Sequence, residues 1–67
     1  MSVAKTIEIN SSSEKSFEDA INKGIQRASK TIHQIHRACV KEQYAVVRDG
    51  KITEYHVDMK LTFVLDE

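Results

Sequence analysis

The chain has 67 residues, ten basic and ten acidic side chains, and a formal net charge of zero. This balance argues against partners that need a broad electrostatic field, namely nucleic acid and anionic membranes. The length predicts one domain, residues 1–67, with a core that is marginal on its own, and the single cysteine excludes an internal disulfide. Self-association is therefore the favoured source of extra stability. No apolar run reaches about 20 residues and no signal peptide is visible, which predicts a cytoplasmic protein.

The first ten residues are predicted to form a short strand. Val3, Ile7 and Ile9 share one side of it, and Lys5 is the exception on that side. The serine run that ends at Ser13 predicts a turn into the next element.

An amphipathic helix is predicted from Ser13 to about Thr31, with Ser13 as its N-cap. Apolar or small residues recur in it at steps of three and four, which places them on one stripe: Phe17, Ala20, Ile21, Gly24, Ile25, Ala28 and Ile32. A glycine inside a helix costs up to ~1 kcal/mol relative to alanine. The position of Gly24 in the stripe therefore indicates a close approach of the helix to a sheet.

Two further strands complete the predicted fold. Residues 33–47 and 52–66 alternate between apolar and polar side chains, and the Asp49-Gly50 pair between them is typical of a hairpin turn. The order strand, helix, strand, strand predicts an α+β fold, in which a three-stranded antiparallel sheet carries one helix packed on one face.

The hairpin register follows from placing Val47 opposite Ile52. If the paired numbers keep the same sum, the apolar rows of the two strands coincide. The predicted cross-strand pairs are then Gln43 with His56, Lys41 with Asp58, Arg37 with Thr62, Tyr44 with Tyr55, Val40 with Met59, Ala38 with Leu61 and Cys39 with Lys60. In this register Glu42 lies on the apolar face, and we expect it to pair with a cation from a neighbouring subunit.

Four stretches, in this order along the chain, resemble the dodecin family: residues 13–21, 27–32, 40–43 and 49–63. The resemblance covers nearly the whole chain at the right length. It implies a β-α-β-β subunit that assembles into a hollow homododecamer. It also implies a protein that stores or buffers flavin and is not an enzyme.

The chain departs from flavin-binding dodecins at the two principal ring contacts. Those proteins have a Trp shortly after the helix that stacks on the isoalloxazine ring, and a Gln in the last strand that hydrogen-bonds it. Arg37 and His56 stand at these positions, and the chain has no Trp. The resemblance therefore implies weak binding of FMN or riboflavin at a site that includes Arg37, His56 and Gln43. Since Arg37 and a protonated His56 both attract anions, we expect FMN to bind better than riboflavin, and more so at pH 6 than at pH 8.

An alternative without an organic ligand remains open, because the chain also resembles a Trp-less, calcium-binding branch of the family. The resemblance assigns no metal ligands to individual residues. Asp58, Glu54 and Glu42 offer carboxylate oxygens, but calcium takes six to eight ligands, so a symmetry axis would have to gather them. The same alternative includes a purely structural assembly.

Other reactive side chains have simpler interpretations. His33 and His36 are spaced for a metal on a helix but lack a third ligand, and Cys39 lacks an activating histidine. Solvated histidines and an inert thiol are the predictions. No triad, metal motif or phosphate loop indicates an enzyme.

Overall fold

The computed structural model describes residues 3–65, which form one helix and three strands. Their bounds are β1 (Val3–Ser13), α1 (Phe17–Ala28), β2 (Ile35–Arg48) and β3 (Lys51–Leu65). The sheet order is β1-β3-β2, and both neighbouring pairs are antiparallel. The predicted fold class is confirmed. The predicted first strand began before residue 3 and the predicted last strand ended at residue 66, and these ends, residues 1–2 and 66, lie outside the described residues.

The core lies between α1 and the central strand β3. Along β3 the alternation predicted from the sequence places Val57, Met59 and Leu61 under the helix, each no more than 2% exposed. Ala20 and Ala28 complete the buried apolar set from the helix side. No helix within residues 3–65 is long and apolar enough to cross a membrane.

The helix begins at Phe17, three residues later than the sequence predicts, because a different serine caps it. The Ser16 Oγ accepts a hydrogen bond from the backbone N–H of Asp19 at 2.9 Å, which satisfies one of the free donors of the first turn. Ser13, the predicted N-cap, is instead the last residue of β1, opposite Tyr55. The predicted turn at the serine run is therefore wrong, since the strand continues through it.

Ser13 still anchors the helix start, through its side chain. Its hydroxyl donates to Asp19 Oδ2 at 2.5 Å and accepts from the backbone N–H of Lys15 at 2.9 Å. Lys23 Nζ lies 3.2 Å from the same Asp19 oxygen, one helical turn along. Chiefly because Ser13 donates to it, and with help from Lys23, the pKa of the Asp19 carboxyl lies below its usual value.

The helix ends at Ala28, before the predicted end near Thr31. The Ala28 carbonyl accepts from the N–H groups of Thr31 and Ile32, at 3.2 and 2.9 Å. These bonds close the last turn and lead the chain toward β2. Ile32, predicted on the helix stripe, lies outside the helix and is half-buried.

Gly24 marks the closest approach of the helix to the sheet, as predicted. A Cβ at this position would lie 2.5 Å from Met59 Cε and 3.1 Å from Ser11 Cβ. A larger residue here would therefore displace the flexible end of Met59 and would require Ser11 to shift by a few tenths of an ångström.

The hairpin turn is the predicted one, but the register beyond it is only partly right. Asp49 and Gly50 have φ angles of 52° and 77°, as a two-residue type I′ turn requires. Val47 faces Ile52, and the pairs made by Arg37, Ala38, Cys39 and Val40 match the prediction.

Between these correct pairs, residues 42–46 are shifted by one position. Irregularities between Val40 and Glu42 and between Val46 and Val47 bracket the shifted segment. Three predicted pairs are therefore wrong, because a bulge adds a residue to one strand only and changes which face later residues occupy: Lys41 with Asp58, Gln43 with His56, and Tyr44 with Tyr55.

Strand β2 receives little cover from the helix. The helix packs on β1 and β3, whereas ten of the fourteen residues of β2 are exposed. At the hairpin end, Val47 and Ile52 are 59% and 52% exposed. The sheet thus presents a long, uncovered edge strand with apolar side chains, the kind of surface that another chain covers in an assembly.

The Asp19 network predicts a stability that falls in acid. A carboxyl with a lowered folded-state pKa stabilises the fold above its unfolded pKa, and this contribution is lost as the pH falls through the folded value. We expect the midpoint of thermal unfolding to fall less between pH 5 and about 2 in Asp19→Asn than in the unchanged protein. Ser13→Ala should lie between the two.

Glu18→Gln is the matched control. It removes a first-turn carboxylate that makes no side-chain hydrogen bond or ion pair within residues 3–65. An acid profile changed equally by Asp19→Asn and Glu18→Gln would assign the effect to the helix dipole and contradict the network.

Candidate functional site

The face of the sheet opposite α1, called the open face below, carries most of the polar side chains. On β3 it is formed by the alternate positions Glu54, His56, Asp58, Lys60 and Thr62, as the sequence predicts. Thr6 and Thr62 mark its β1 side, with their hydroxyl oxygens 3.2 Å apart. The open face is the candidate site, because it gathers charged and hydrogen-bonding side chains that the helix does not cover.

The irregularity after Val40 turns Glu42 onto the open face, directly opposite Asp58. The prediction that Glu42 lies on the apolar face is therefore wrong, because the extra residue reverses the parity of the strand. Lys41, the extra residue, brings its Nζ to 4.0 Å from Glu8 Oε1 on β1. The charged side chains of this region thus face one another across the sheet.

The same shift places Tyr44 opposite His56 and stacks their rings. The ring centroids are 4.9 Å apart, with an angle of 9° between the planes. His56 Nε2 lies 2.7 Å from Glu54 Oε1, two positions along the same strand. A carboxylate, an imidazole and a phenol ring therefore form one connected group on the open face.

Asp58 is the polar residue with unsatisfied bonding capacity. Its Oδ1 is buried and, among the residues described, has no hydrogen-bond partner. Glu42 lies opposite it on β2 and Asn10 on β1. Two carboxylates opposite each other repel, so this arrangement is electrostatically suited to a cation. No group of three or more His, Cys, Asp or Glu side chains within residues 3–65 is placed to hold a metal ion.

The three predicted ligand-binding residues do not converge within one chain. Arg37 lies on the open face opposite Thr62, six positions from His56, which is about 20 Å along a strand. Gln43 lies opposite Val57, whose side chain faces the helix. The charge argument for FMN assumed Arg37 and His56 acting together, and a single subunit does not bring them together.

The cysteine and the two histidines for which the sequence predicts no special role are all exposed. Cys39 is exposed and faces Lys60, the neighbour that the register predicts. His33, just before β2, and His36, within it, are also exposed.

Sequence reasoning missed Tyr44, which it placed in the apolar row. The available signal was Glu42, a carboxylate on apolar parity two positions earlier. A charged residue out of phase with a strand pattern indicates a bulge as readily as a buried ion pair.

The family comparison and the solved structures agree with this fold. A family model described as Dodecin matches residues 3–66. The dodecin from Streptomyces davaonensis is 35% identical, with a TM-score of 0.92, and the match covers 98% of this chain and 97% of that chain. A point mutant of the T. thermophilus dodecin is 31% identical, with a TM-score of 0.93 and full coverage of both chains.

A third similar structure is associated with calcium. It is the calcium-chelating immunodominant antigen calcium dodecin from Mycobacterium tuberculosis, which has a novel calcium-binding site. It is 34% identical, with a TM-score of 0.81, and the match covers 96% of this chain and 91% of that chain. A comparison with curated proteins gave no match.

Proposed function

Because the chain belongs to the dodecin family, we propose that it is a small-ligand-binding storage protein that forms a hollow homododecamer and catalyses no reaction. Dodecins bind flavins and assemble as multimers. We further propose that the protein is cytoplasmic, that residues 1–67 form its one domain, and that it binds neither nucleic acid nor membranes.

The observation that supports the assembly is that the helix covers only part of the sheet. β2 has exposed side chains on both faces and an unpaired backbone edge. Valines and an isoleucine are more than half exposed near both ends of the sheet. Because every copy of the chain exposes the same surfaces, two copies can cover each other's exposed side chains and strand edges in a symmetric assembly.

The proposed ligand is a flavin, FMN or riboflavin, bound weakly. An Arg at position 37 can stack on a ring, but it lacks the large indole surface. His56 is already engaged by Tyr44 and Glu54, so a ligand must compete for it or bind beside it. Arg37 and His56 would meet at one site only where two subunits join. Gln43, on the other face, would reach such a site only across the β2 edge.

The assembly predicts a particle of about twelve times the chain mass of 7.6 kDa. Native mass spectrometry at micromolar concentration measures this directly. Val47→Glu, which places a charge on an exposed apolar position of β2, should shift the population toward smaller species. Lys51→Glu, at the first position of β3 in the same hairpin, is the control and should keep the large particle. A stable monomer in the unchanged protein would contradict the proposal.

The loss of flavin contacts predicts a gain when they are restored. Arg37→Trp combined with His56→Gln should raise riboflavin affinity roughly five- to 150-fold, since stacking on an aromatic side chain contributes about 1–3 kcal/mol. Quenching of riboflavin fluorescence measures the affinity. Arg37→Leu with His56→Gln removes the same charges without adding a ring and should gain much less. Tight binding by the unchanged protein would refute the weakened site.

Calcium binding is the second candidate, and a specific group supports it. Asp58 keeps one buried carboxylate oxygen without a partner in the described part of the chain, and Glu42 faces it. A shared site between subunits would supply further oxygens. The similarity to the calcium dodecin points the same way.

If calcium binds at Asp58, calcium should stabilise the folded protein, and this stabilisation should depend on the Asp58 carboxylate. Calcium at a hundred times its dissociation constant should stabilise the unchanged protein by about 2.7 kcal/mol, measured as a rise in the thermal midpoint. Asp58→Asn should lose the rise. Asp49→Asn, the same change in the exposed turn, should keep it. An equal rise with magnesium, or in Asp58→Asn, would exclude this site.

A further inference from the structure

Among the Phe and Tyr residues within 3–65, only Tyr44 lies on the open face. Phe17 and Tyr55 pack edge to face on the helix side, with ring centroids 5.0 Å apart. Phe63 is half-buried and has the same parity as the core residue Leu61. Tyr44, in contrast, is 53% exposed although one face of its ring is covered by His56.

The Tyr44 ring is held in place by its neighbours. The nearly parallel stack on His56 restricts the rotation of the ring, and the 2.7 Å contact of His56 with Glu54 fixes the imidazole in turn. A planar surface that is ordered before binding costs less entropy when a ligand stacks on it. The exposed side of Tyr44 is therefore a preformed stacking surface.

The ionised side chains that strand pairing places beside Tyr44 on the open face are negative. Glu42 precedes Tyr44 by two positions on the same face, Glu54 contacts His56, and Asp58 lies opposite Glu42. The cation closest in sequence, Lys41, directs its ammonium group to Glu8 on β1. A ligand that stacks here therefore meets carboxylates, which favour a neutral or cationic ring and disfavour a phosphate.

We propose that Tyr44, backed by His56, is the stacking surface for a planar aromatic ligand that is uncharged or cationic. The proposal rests on the proposed ligand-binding function, and it adds the residue that contacts the ring and the charge of the ligand. Tyr44 takes over the role for which Arg37 is poorly suited. The ligand preference is the reverse of the FMN preference expected from the sequence.

Titration of the assembled protein with three probes tests this surface. The probes are riboflavin, which is neutral, FMN, which carries a phosphate, and proflavine, a planar cation. Riboflavin and proflavine should bind the unchanged protein more tightly than FMN. The disadvantage of FMN should shrink when salt is added, because salt screens the carboxylates.

Variants of Tyr44 separate stacking from other roles. Tyr44→Ala should weaken the binding of riboflavin and proflavine roughly five- to 150-fold, the range measured for stacked bases on aromatic side chains. Tyr44→Phe keeps the ring and should keep the affinity. Val46→Ala removes an apolar side chain two positions along the strand and should also leave it unchanged. Tyr44→Leu, which keeps apolar bulk for folding and assembly, should weaken binding as Tyr44→Ala does.

Each outcome decides the proposal. Native mass spectrometry first shows that every variant keeps the particle mass of the unchanged protein. Riboflavin binding that Tyr44→Ala and Tyr44→Leu leave unaltered would overturn the stacking role while leaving the proposed flavin function intact. Tighter binding in Tyr44→Ala would overturn it too, since the ring would then block the site. Tyr44-dependent binding of proflavine without riboflavin binding would support the surface and remove the flavin function. Binding of none of the probes would overturn both.

Discussion

The fold depends on a mismatch of length between one helix and the sheet beneath it. A helix of 12 residues is about 18 Å long, whereas a strand of 15 residues extends to about 50 Å. The molecule is accordingly 52 Å long and only 13 Å thick. The helix can bury the middle of β3 and part of β1, and it leaves β2 and the hairpin end to other partners. Gly24 keeps this limited contact close, since a side chain there would displace the end of Met59 and press on Ser11.

The candidate site lies on the open face of the sheet. Irregular pairing between β2 and β3 decides which side chains of β2 lie on that face. The bulge after Val40 brings Glu42 and Tyr44 onto the open face, where they meet Asp58 and His56. Without the shift, Tyr44 would lie on the apolar side and Glu42 would be a carboxylate facing the core. A single extra residue thus removes an expected energetic conflict and creates both an aromatic pair and a pair of facing carboxylates.

Membership of the dodecin family sets the scaffold, whereas the chemistry that the scaffold presents depends on the side chains of this chain. Arg37 and His56, which stand at the positions that the family resemblance assigns to the flavin contacts, lie about 20 Å apart within one subunit. The structure surrounds His56 with Tyr44, Glu54 and Asp58, positions to which the family resemblance assigned no role. Similarity to a flavin-binding family and to a calcium dodecin therefore leaves the ligand to be argued from Tyr44, His56, Glu42 and Asp58.

The sequence alone determined the features that depend on short, regular patterns. The alternation in β3, the helix stripe from Phe17 to Ala28 with its glycine, the Asp49-Gly50 turn and the order of elements were all predicted correctly, because each depends on residues within a few positions of one another. The tertiary structure decided the features that depend on competition between distant partners. Ser13 pairs with Tyr55 in the sheet and leaves the helix cap to Ser16, and β2 takes an extra residue to match β3. The alternation marks the extra residue only through Glu42, which a buried ion pair would explain equally well, so the stack of Tyr44 on His56 follows only once the two strands are paired.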